Sequence, residues 1–397
     1  MRRLVGAGAG GLAGVVVGAA ITLGLQGPAA PGPPAAREAS PRISLSRPAA
    51  PATFLAWVPH GLPDGFARKV DRLPQVGDLT VVAEDNVWLT RSWSATGDLV
   101  DEAPEPYRIP LDAAAIDVET FAPFLPPGER TTLAALDAGE GVLGSSSASL
   151  RGLGPGAVLA FGRVRVRIAA VLPDELVGAA ELVVGTETGR RMGVAHARHL
   201  LLRPAEGWRT SSPRLERLLE PLLPADHVVQ VRAPGETPFF RAGDAVLPPV
   251  LLKTLFGEFA ARRAHGHPGT LEVDPAWTRE HLVRTRVPIL GVVTCHRGII
   301  DQLRGAMRDL RDRGFAHLIR SFHGCWVPKF VTRDPTALPS HHTWGIAFDV
   351  NLVGNYYGQE PHQDERLVAT LAAWGFQWGG EFIIPDGNHF EYKRAPA

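Results

Sequence analysis

Two short segments near the end of the chain constrain the fold most, because their metal-binding side chains can act together only if folding brings them close. Residues 340–349 place histidine and aspartate on either side of Gly345, and residues 386–391 add an aspartate three positions before His389. Together the segments offer two histidines, one aspartate as a ligand and one spare aspartate. A catalytic zinc site needs this set: three protein ligands, an open position for water and a carboxylate that moves a proton.

Local alternation indicates how these side chains could converge. Residues 346–350 alternate, so that a strand would place Ile346 and Phe348 on one face and Asp349 on the other. Residues 389–392 repeat the pattern, with His389 and the apolar Phe390 on opposite faces. Both segments are therefore predicted to be short strands with one face in the core and one face at the site.

These motifs resemble the M15 family of zinc peptidases, which contains D-alanyl-D-alanine carboxypeptidases and L-alanyl-D-glutamate endopeptidases. The chain has Ser-x-His-x-x-Gly-x-Ala-x-Asp at residues 340–349, Trp-Gly-Gly at residues 378–380 and Asp-x-x-His-Phe-Glu at residues 386–391. The resemblance covers about residues 248–397. It implies a zinc cofactor and hydrolysis of peptidoglycan stem or cross-link peptides, by D,D-carboxypeptidase or by L,D- or D,D-endopeptidase action.

The resemblance also implies roles for individual residues. Because of the family's spacing to Asp349, it selects His342 rather than His341 as a zinc ligand, together with Asp349 and His389. Asp386 would be the general base that takes a proton from water and passes it to the leaving amine.

Three further residues receive roles with open alternatives. Arg320, on a strand predicted over residues 317–322, would polarise the scissile carbonyl, although a surface arginine is the alternative. Ser340 would contact the substrate or cap a turn. Trp378 would form a wall of the substrate site or pack beneath it.

The two cysteines allow two readings. Cys295 and Cys325 lie thirty residues apart and beside His296 and His323, so they could form a disulfide or a Cys/His metal site. We favour the disulfide, because thiols outside the cytoplasm tend to be oxidised and the spacing resembles no standard zinc module.

The beginning of the chain indicates an extracytoplasmic protein. Residues 1–25 contain two arginines followed by an uncharged run, which predicts a signal peptide or a transmembrane anchor. Residues 26–52 are rich in proline and alanine and are predicted to be a linker. The formal net charge of zero gives no indication of a nucleic-acid partner.

The remaining chain is predicted to be α+β. A separate β-rich α+β domain is predicted at residues 53–233, followed by a hinge at residues 234–247. Residues 248–397 are predicted to form a peptidase-like domain with a small antiparallel sheet and flanking helices. Residues 117–184 are weakly similar to extracytoplasmic domains of FtsX-type permeases, which implies contacts with a protein partner. Helices are predicted over residues 112–124, 212–222, 251–263, 299–313 and 363–374.

Two other functions remain open. The C-terminal domain could be a zinc-stabilised module that binds cell-wall peptides without cutting them. Alternatively, the protein could be a membrane-tethered interaction protein that acts through residues 53–233. An intact Asp386 and Arg320 favour catalysis over the first alternative.

Overall fold

The computed structural model describes residues 53–237, 240–245 and 247–396. The predicted hydrophobic segment and linker, residues 1–52, lie outside the described residues. Within the described ranges, no helix is both long enough and apolar enough to cross a bilayer. The elements are a mixture of helices and strands, which confirms the predicted α+β class.

The N-terminal part of the chain, residues 53–233, builds a large sheet. Its strands are β1 (Phe54–Trp57), β2 (Val76–Leu89), β3 (Arg91–Trp93), β4 (Leu99–Glu102), β5 (Ile109–Ile116), β6 (Gly141–Gly144), β7 (Val158–Phe161), β8 (Val164–Leu172), β9 (Leu182–Gly185), β10 (Ala197–Pro204) and β11 (Gln230–Arg232). They lie in the order β11-β1-β10-β2-β5-β9-β6-β8-β7-β3-β4. Pairing is parallel for β5 with β9 and for β6 with β8.

Helices pack against this sheet and bury its apolar side chains. They are α1 (Phe66–Asp71), α2 (Val118–Phe121), α3 (Ala134–Asp137), α4 (Ser145–Arg151), α5 (Thr186–Met192) and α6 (Ser212–Leu219). The helix predicted over residues 112–124 is wrong in its first half, because β5 lies between β2 and β9 and is buried along its whole length. Its short apolar run fits a doubly covered strand as well as a helix, so periodicity alone could not decide.

The C-terminal part, residues 248–396, contains three small antiparallel sheets. Its elements are α7 (Pro249–Phe256), β12 (Ala261–Ala264), β13 (His267–Val273), α8 (Pro275–His281), β14 (Leu282–Val287), β15 (Gly291–His296), α9 (Ile300–Asp312), α10 (His341–Trp344), β16 (Ala347–Asp349), α11 (Glu365–Ala373), β17 (Phe376–Trp378) and β18 (His389–Tyr392). The sheets are β12-β13, β14-β15 and β16-β18-β17.

Short 3₁₀ helices connect many of these elements in both parts. They lie at Ala122–Phe124, Arg130–Leu133, Asp174–Leu176, Glu220–Leu222, Arg297–Ile299, Ala316–Leu318, Val331–Arg333 and Gly379–Glu381.

One hydrophobic core supports the third small sheet. Helix α9 contributes Leu303, Met307 and Leu310, which are fully buried and recur at helical spacing. They belong to the same cluster as Phe348 and Phe390 of the sheet. The helix predicted over residues 299–313 is thus confirmed, and it forms the floor beneath the candidate site.

Two predicted elements of this part need correction. The helix predicted over residues 251–263 ends at Phe256, because Gly257 has a positive φ of 85° and the chain then turns into β12. The strand predicted over residues 317–322 is wrong, because Ala316–Leu318 is a 3₁₀ helix and the next backbone N–H groups, of residues 320 and 321, donate to the side chain of Asn351.

A buried ionic cluster joins the two parts. The Arg151 guanidinium donates to Glu181 at 3.0 Å and to Glu258 at 2.6 Å. The Lys253 ammonium lies 2.8 Å from Glu181 and 3.0 Å from Glu258. Each cation thus contacts one carboxylate from each part, and neither cation has more than 2% of its side chain exposed. The parts pack through mutually neutralising charges rather than through apolar contacts alone.

Replacing Lys253 with methionine should destabilise the protein by roughly 3–5 kcal/mol, because it leaves Glu181 buried beside one cation instead of two. Denaturant unfolding would measure the change, with the exposed Lys393→Met as the control. If both variants were equally stable, the contribution of the ionic cluster to the free energy of unfolding would be contradicted.

Candidate metal centre

Three side chains from two segments of the chain meet at one point. His342 Nε2 lies 3.1 Å from Asp349 Oδ1, and His389 Nδ1 lies 3.2 Å from the same oxygen. The two imidazole nitrogens are themselves 3.2 Å apart. Four ligands at about 2.0–2.1 Å around a tetrahedral zinc ion would be spaced by roughly 3.3 Å. The separations and the two-histidine, one-carboxylate donor set therefore fit a zinc ion.

The local backbone explains this convergence. Asp349 is directly opposite His389 in the pairing of β16 with β18, so both side chains lie on the same face. His342 lies on α10. The backbone N–H of His342 donates to Ser340 Oγ at 3.4 Å, and this hydrogen bond caps the first turn of the helix. Gly345 ends α10 with a positive φ of 71° and returns the chain into β16.

Hydrogen bonds on the far side of the two histidines set the orientations of their rings. His342 Nδ1 lies 2.9 Å from the carbonyl oxygen of Cys325, and donation there leaves Nε2 as a lone-pair donor towards the centre. His389 Nε2 lies 3.1 Å from Glu391, so donation to that carboxylate leaves Nδ1 facing the centre. Such outer partners are typical of metal-binding histidines. The sequence analysis gave Glu391 no role beyond its place in the motif.

The charges of the cluster depend on one another. Burial disfavours the charged form of His389, but hydrogen bonds to Asp349 and Glu391 outweigh it and raise its pKa to about 10. Burial likewise opposes ionisation of Asp349, yet its bonds to both histidines hold the pKa of that carboxyl below its usual range. A cation bound at this centre would therefore compete with a proton for the ring nitrogens of the histidines.

His341 does not join the three ligands. It and His342 are neighbours on α10. His341 Nδ1 lies 2.7 Å from Glu391, the carboxylate that also contacts His389.

Asp386 lies beside the centre on the turn before β18. Its carboxylate accepts a hydrogen bond from Asn388 Nδ2 at 2.7 Å, and its backbone N–H donates to the carbonyl of Gly379 at 2.8 Å. Burial raises the pKa of Asp386; His389 opposes this effect and Asp349 adds to it. A raised pKa makes a carboxylate a stronger base towards water.

A cavity of about 680 Å³ opens onto this centre. Ser340, His342, Asp386 and His389 line it, and so does Lys329, which the sequence analysis did not single out. This volume lies within the range of cavities that bind small organic ligands.

Two predicted site residues lie elsewhere. Arg320 is exposed and is not among the residues that line the cavity. Trp378 does not line it either; its indole N–H donates to the carbonyl of Gly387 at 2.8 Å and so holds the turn that carries Asp386. The structure thus favours the packing role for Trp378 and gives Arg320 no contact with this cavity.

The cysteines form the disulfide Cys295–Cys325, and both are fully buried. The alternative Cys/His metal site is therefore absent from the described residues. His296 instead places Nε2 3.0 Å from the carbonyl oxygen of Phe256, and His323 lies exposed beside Ser321. The disulfide also fixes the Cys325 carbonyl that orients His342.

Comparisons with solved structures give matches of low sequence identity. The periplasmic region of MacB from Actinobacillus actinomycetemcomitans is 14% identical, with 45% of this chain and 88% of that chain covered and a TM-score of 0.30. The extracellular domain of the noncanonic ABC-type transporter YknZ from Gram-positive bacteria is 11% identical, with 45% and 99% covered and a TM-score of 0.28. At these identities and TM-scores, the two structures give no indication of the function of this chain.

The C-terminal part gives the more specific result. No curated protein matches the chain. Residues 333–392 match the model of a peptidase family described as D-alanyl-D-alanine carboxypeptidase. This segment contains the three clustered ligands and Asp386. The match confirms that the C-terminal segment resembles the M15 peptidase family, as its motifs predict.

Proposed function

We propose that this chain is an extracytoplasmic zinc-dependent peptidase that hydrolyses peptidoglycan stem or cross-link peptides. The observation that carries the proposal is the cluster of His342, Asp349 and His389. It adjoins a cavity that Asp386 also lines and that could hold a short peptide. The family match over residues 333–392 supports the reaction class.

The cellular location rests on separate observations. A buried disulfide is typical of proteins that fold outside the cytoplasm. The hydrophobic residues 1–25 would direct the chain there, as a cleaved signal or as an anchor in the membrane. Peptidoglycan lies in this compartment, and residues 53–233 could also bind a protein partner there.

His342, Asp349 and His389 would hold the zinc ion. Bound zinc would activate water and polarise the peptide carbonyl. Asp386 would accept a proton from the attacking water and return it to the amine nitrogen as the C–N bond breaks. Lys329 would supply positive charge near the carbonyl oxygen, the role predicted for Arg320, because Lys329 lines the cavity and Arg320 does not.

His342→Gln should abolish stoichiometric zinc binding, because it removes one of three ligands, whereas His341→Gln should still bind one zinc ion per chain. Metal analysis of the dialysed variants would measure this. Zinc loss from the His341 variant with retention in the His342 variant would reverse the ligand assignment.

Asp386→Asn should keep zinc but lower hydrolysis of purified peptidoglycan by about 10²–10⁴-fold, because the amide cannot accept the proton. Mass spectrometry of the released peptides would give the rate and the bond that is cut. The exposed Asp64→Asn is the matched control. A wild-type chain that binds zinc without cutting any wall peptide would favour the binding-module alternative.

Lys329→Met should lower kcat by about 10²–10³-fold if its charge stabilises the developing oxyanion, whereas Arg320→Met should leave kcat unchanged. The two substitutions remove the same charge, so each serves as a control for the other. An effect confined to Arg320→Met would restore the role that the sequence predicts for that residue.

A further inference from the structure

The cavity at the metal centre has a second, charged wall that comes from outside the family-matched segment. Glu84, Asp85, Asp112 and Arg198 of the N-terminal part line it, together with Arg241 from the connection between the two parts. We call these five residues the charged wall. The same cavity therefore joins the metal ligands to side chains that the sequence analysis did not single out.

Two of the three carboxylates of the charged wall have an arginine partner. Asp85 lies 3.2 Å from Arg198 and also accepts two backbone N–H groups, from residues 195 and 196. Asp112 accepts a hydrogen bond from Arg241 at 2.8 Å. With two guanidinium groups for three carboxylates, Glu84 is the one left without its own cation.

The carboxylate of Glu84 is also left without a hydrogen bond, although the backbone of this residue is bonded to residues 196 and 198. Glu84 is 9% exposed, and no described residue donates a hydrogen bond to its carboxylate. The nearest candidate is His199 Nδ1 at 3.7 Å, and burial lowers the pKa of His199 to about 3, so that this ring is neutral. Burial likewise raises the pKa of Glu84, although Arg241 and Arg198 oppose the effect. A buried carboxyl group without a donor is unfavourable in the free protein.

We propose that Glu84 binds a primary ammonium group of the peptide substrate, away from the bond that is cut. The inference rests on the proposed function and narrows its substrate class to peptides that carry a free amine. An ammonium group brings one positive charge and three donors, which match a single carboxylate that lacks both. The amine could be the N-terminal group of the peptide or the end of a diamino-acid side chain.

The two ends of the cavity would then orient the peptide. Glu84, in the N-terminal part of the protein, would bind the amine of the peptide. Asp386 and the ligand cluster, in the C-terminal part of the protein, would face the scissile carbonyl. Specificity would thus depend on a residue more than two hundred positions before the catalytic motifs.

The test compares the binding of four forms of L-Lys-D-Ala-D-Ala. In one form both amines are free, in two forms one of the amines is acetylated, and in the fourth both amines are acetylated. Calorimetry would use the zinc-loaded full chain carrying Asp386→Asn, so that the peptide stays uncut. We expect the doubly acetylated peptide to bind about 10- to 100-fold more weakly than one of the singly acetylated forms, as for a hydrogen bond to a charged group. The singly acetylated form that binds more tightly shows, by its remaining free amine, which amine Glu84 binds.

Adding Glu84→Gln should remove this preference, while the exposed Glu206→Gln should retain it. Thermal unfolding separates recognition from structure: Glu84→Gln should unfold at a temperature no lower than that of the unaltered chain, because no hydrogen bond is lost and a buried carboxyl group is removed. A preference that survives Glu84→Gln, equal binding of all four peptides, or absence of binding would overturn the inference. Hydrolysis by the wild-type chain is measured separately. If no hydrolysis were found, the binding result could still be interpreted on its own.

Discussion

The pairing register of β16 with β18 is the constraint on which the candidate centre depends. It places Asp349 opposite His389, while Phe348 and Phe390 stack on the other face with their ring centroids 5.7 Å apart. A slip of one residue would turn the ligands into the core and the rings into the cavity. Both phenylalanines are fully buried, so hydrophobic burial holds the ligand geometry in place before any metal binds.

Much of this arrangement could be predicted because it is local. The alternation around Asp349 and His389 identifies strands and their faces, and the long apolar repeat identifies α9. The four residues of α10 are too few for any period to show, so the conformation of His341 and His342 could not be read from the pattern. The spacing to Asp349 in the family that the motifs resemble nevertheless selects the histidine that the structure brings to the centre.

The residues that sequence reasoning missed are placed by distant segments. Arg320 lies on irregular backbone because Asn351, far along the chain, binds the N–H groups there. Glu84 reaches the cavity only through packing of the two parts, which no local pattern encodes. A compositional signal did exist for Lys329, since only four of the 41 basic residues are lysines. Another of the four, Lys253, lies in the buried ionic cluster, where one compact ammonium group contacts two carboxylates.

The ionic cluster and the cavity bridge the same two parts of the chain. A ligand that contacts both walls of the cavity would tighten their packing by as much as that packing tightens the ligand, because thermodynamic coupling is reciprocal. Any change that weakens the packing of the two parts would then also weaken the binding of such a ligand, without touching the metal ligands.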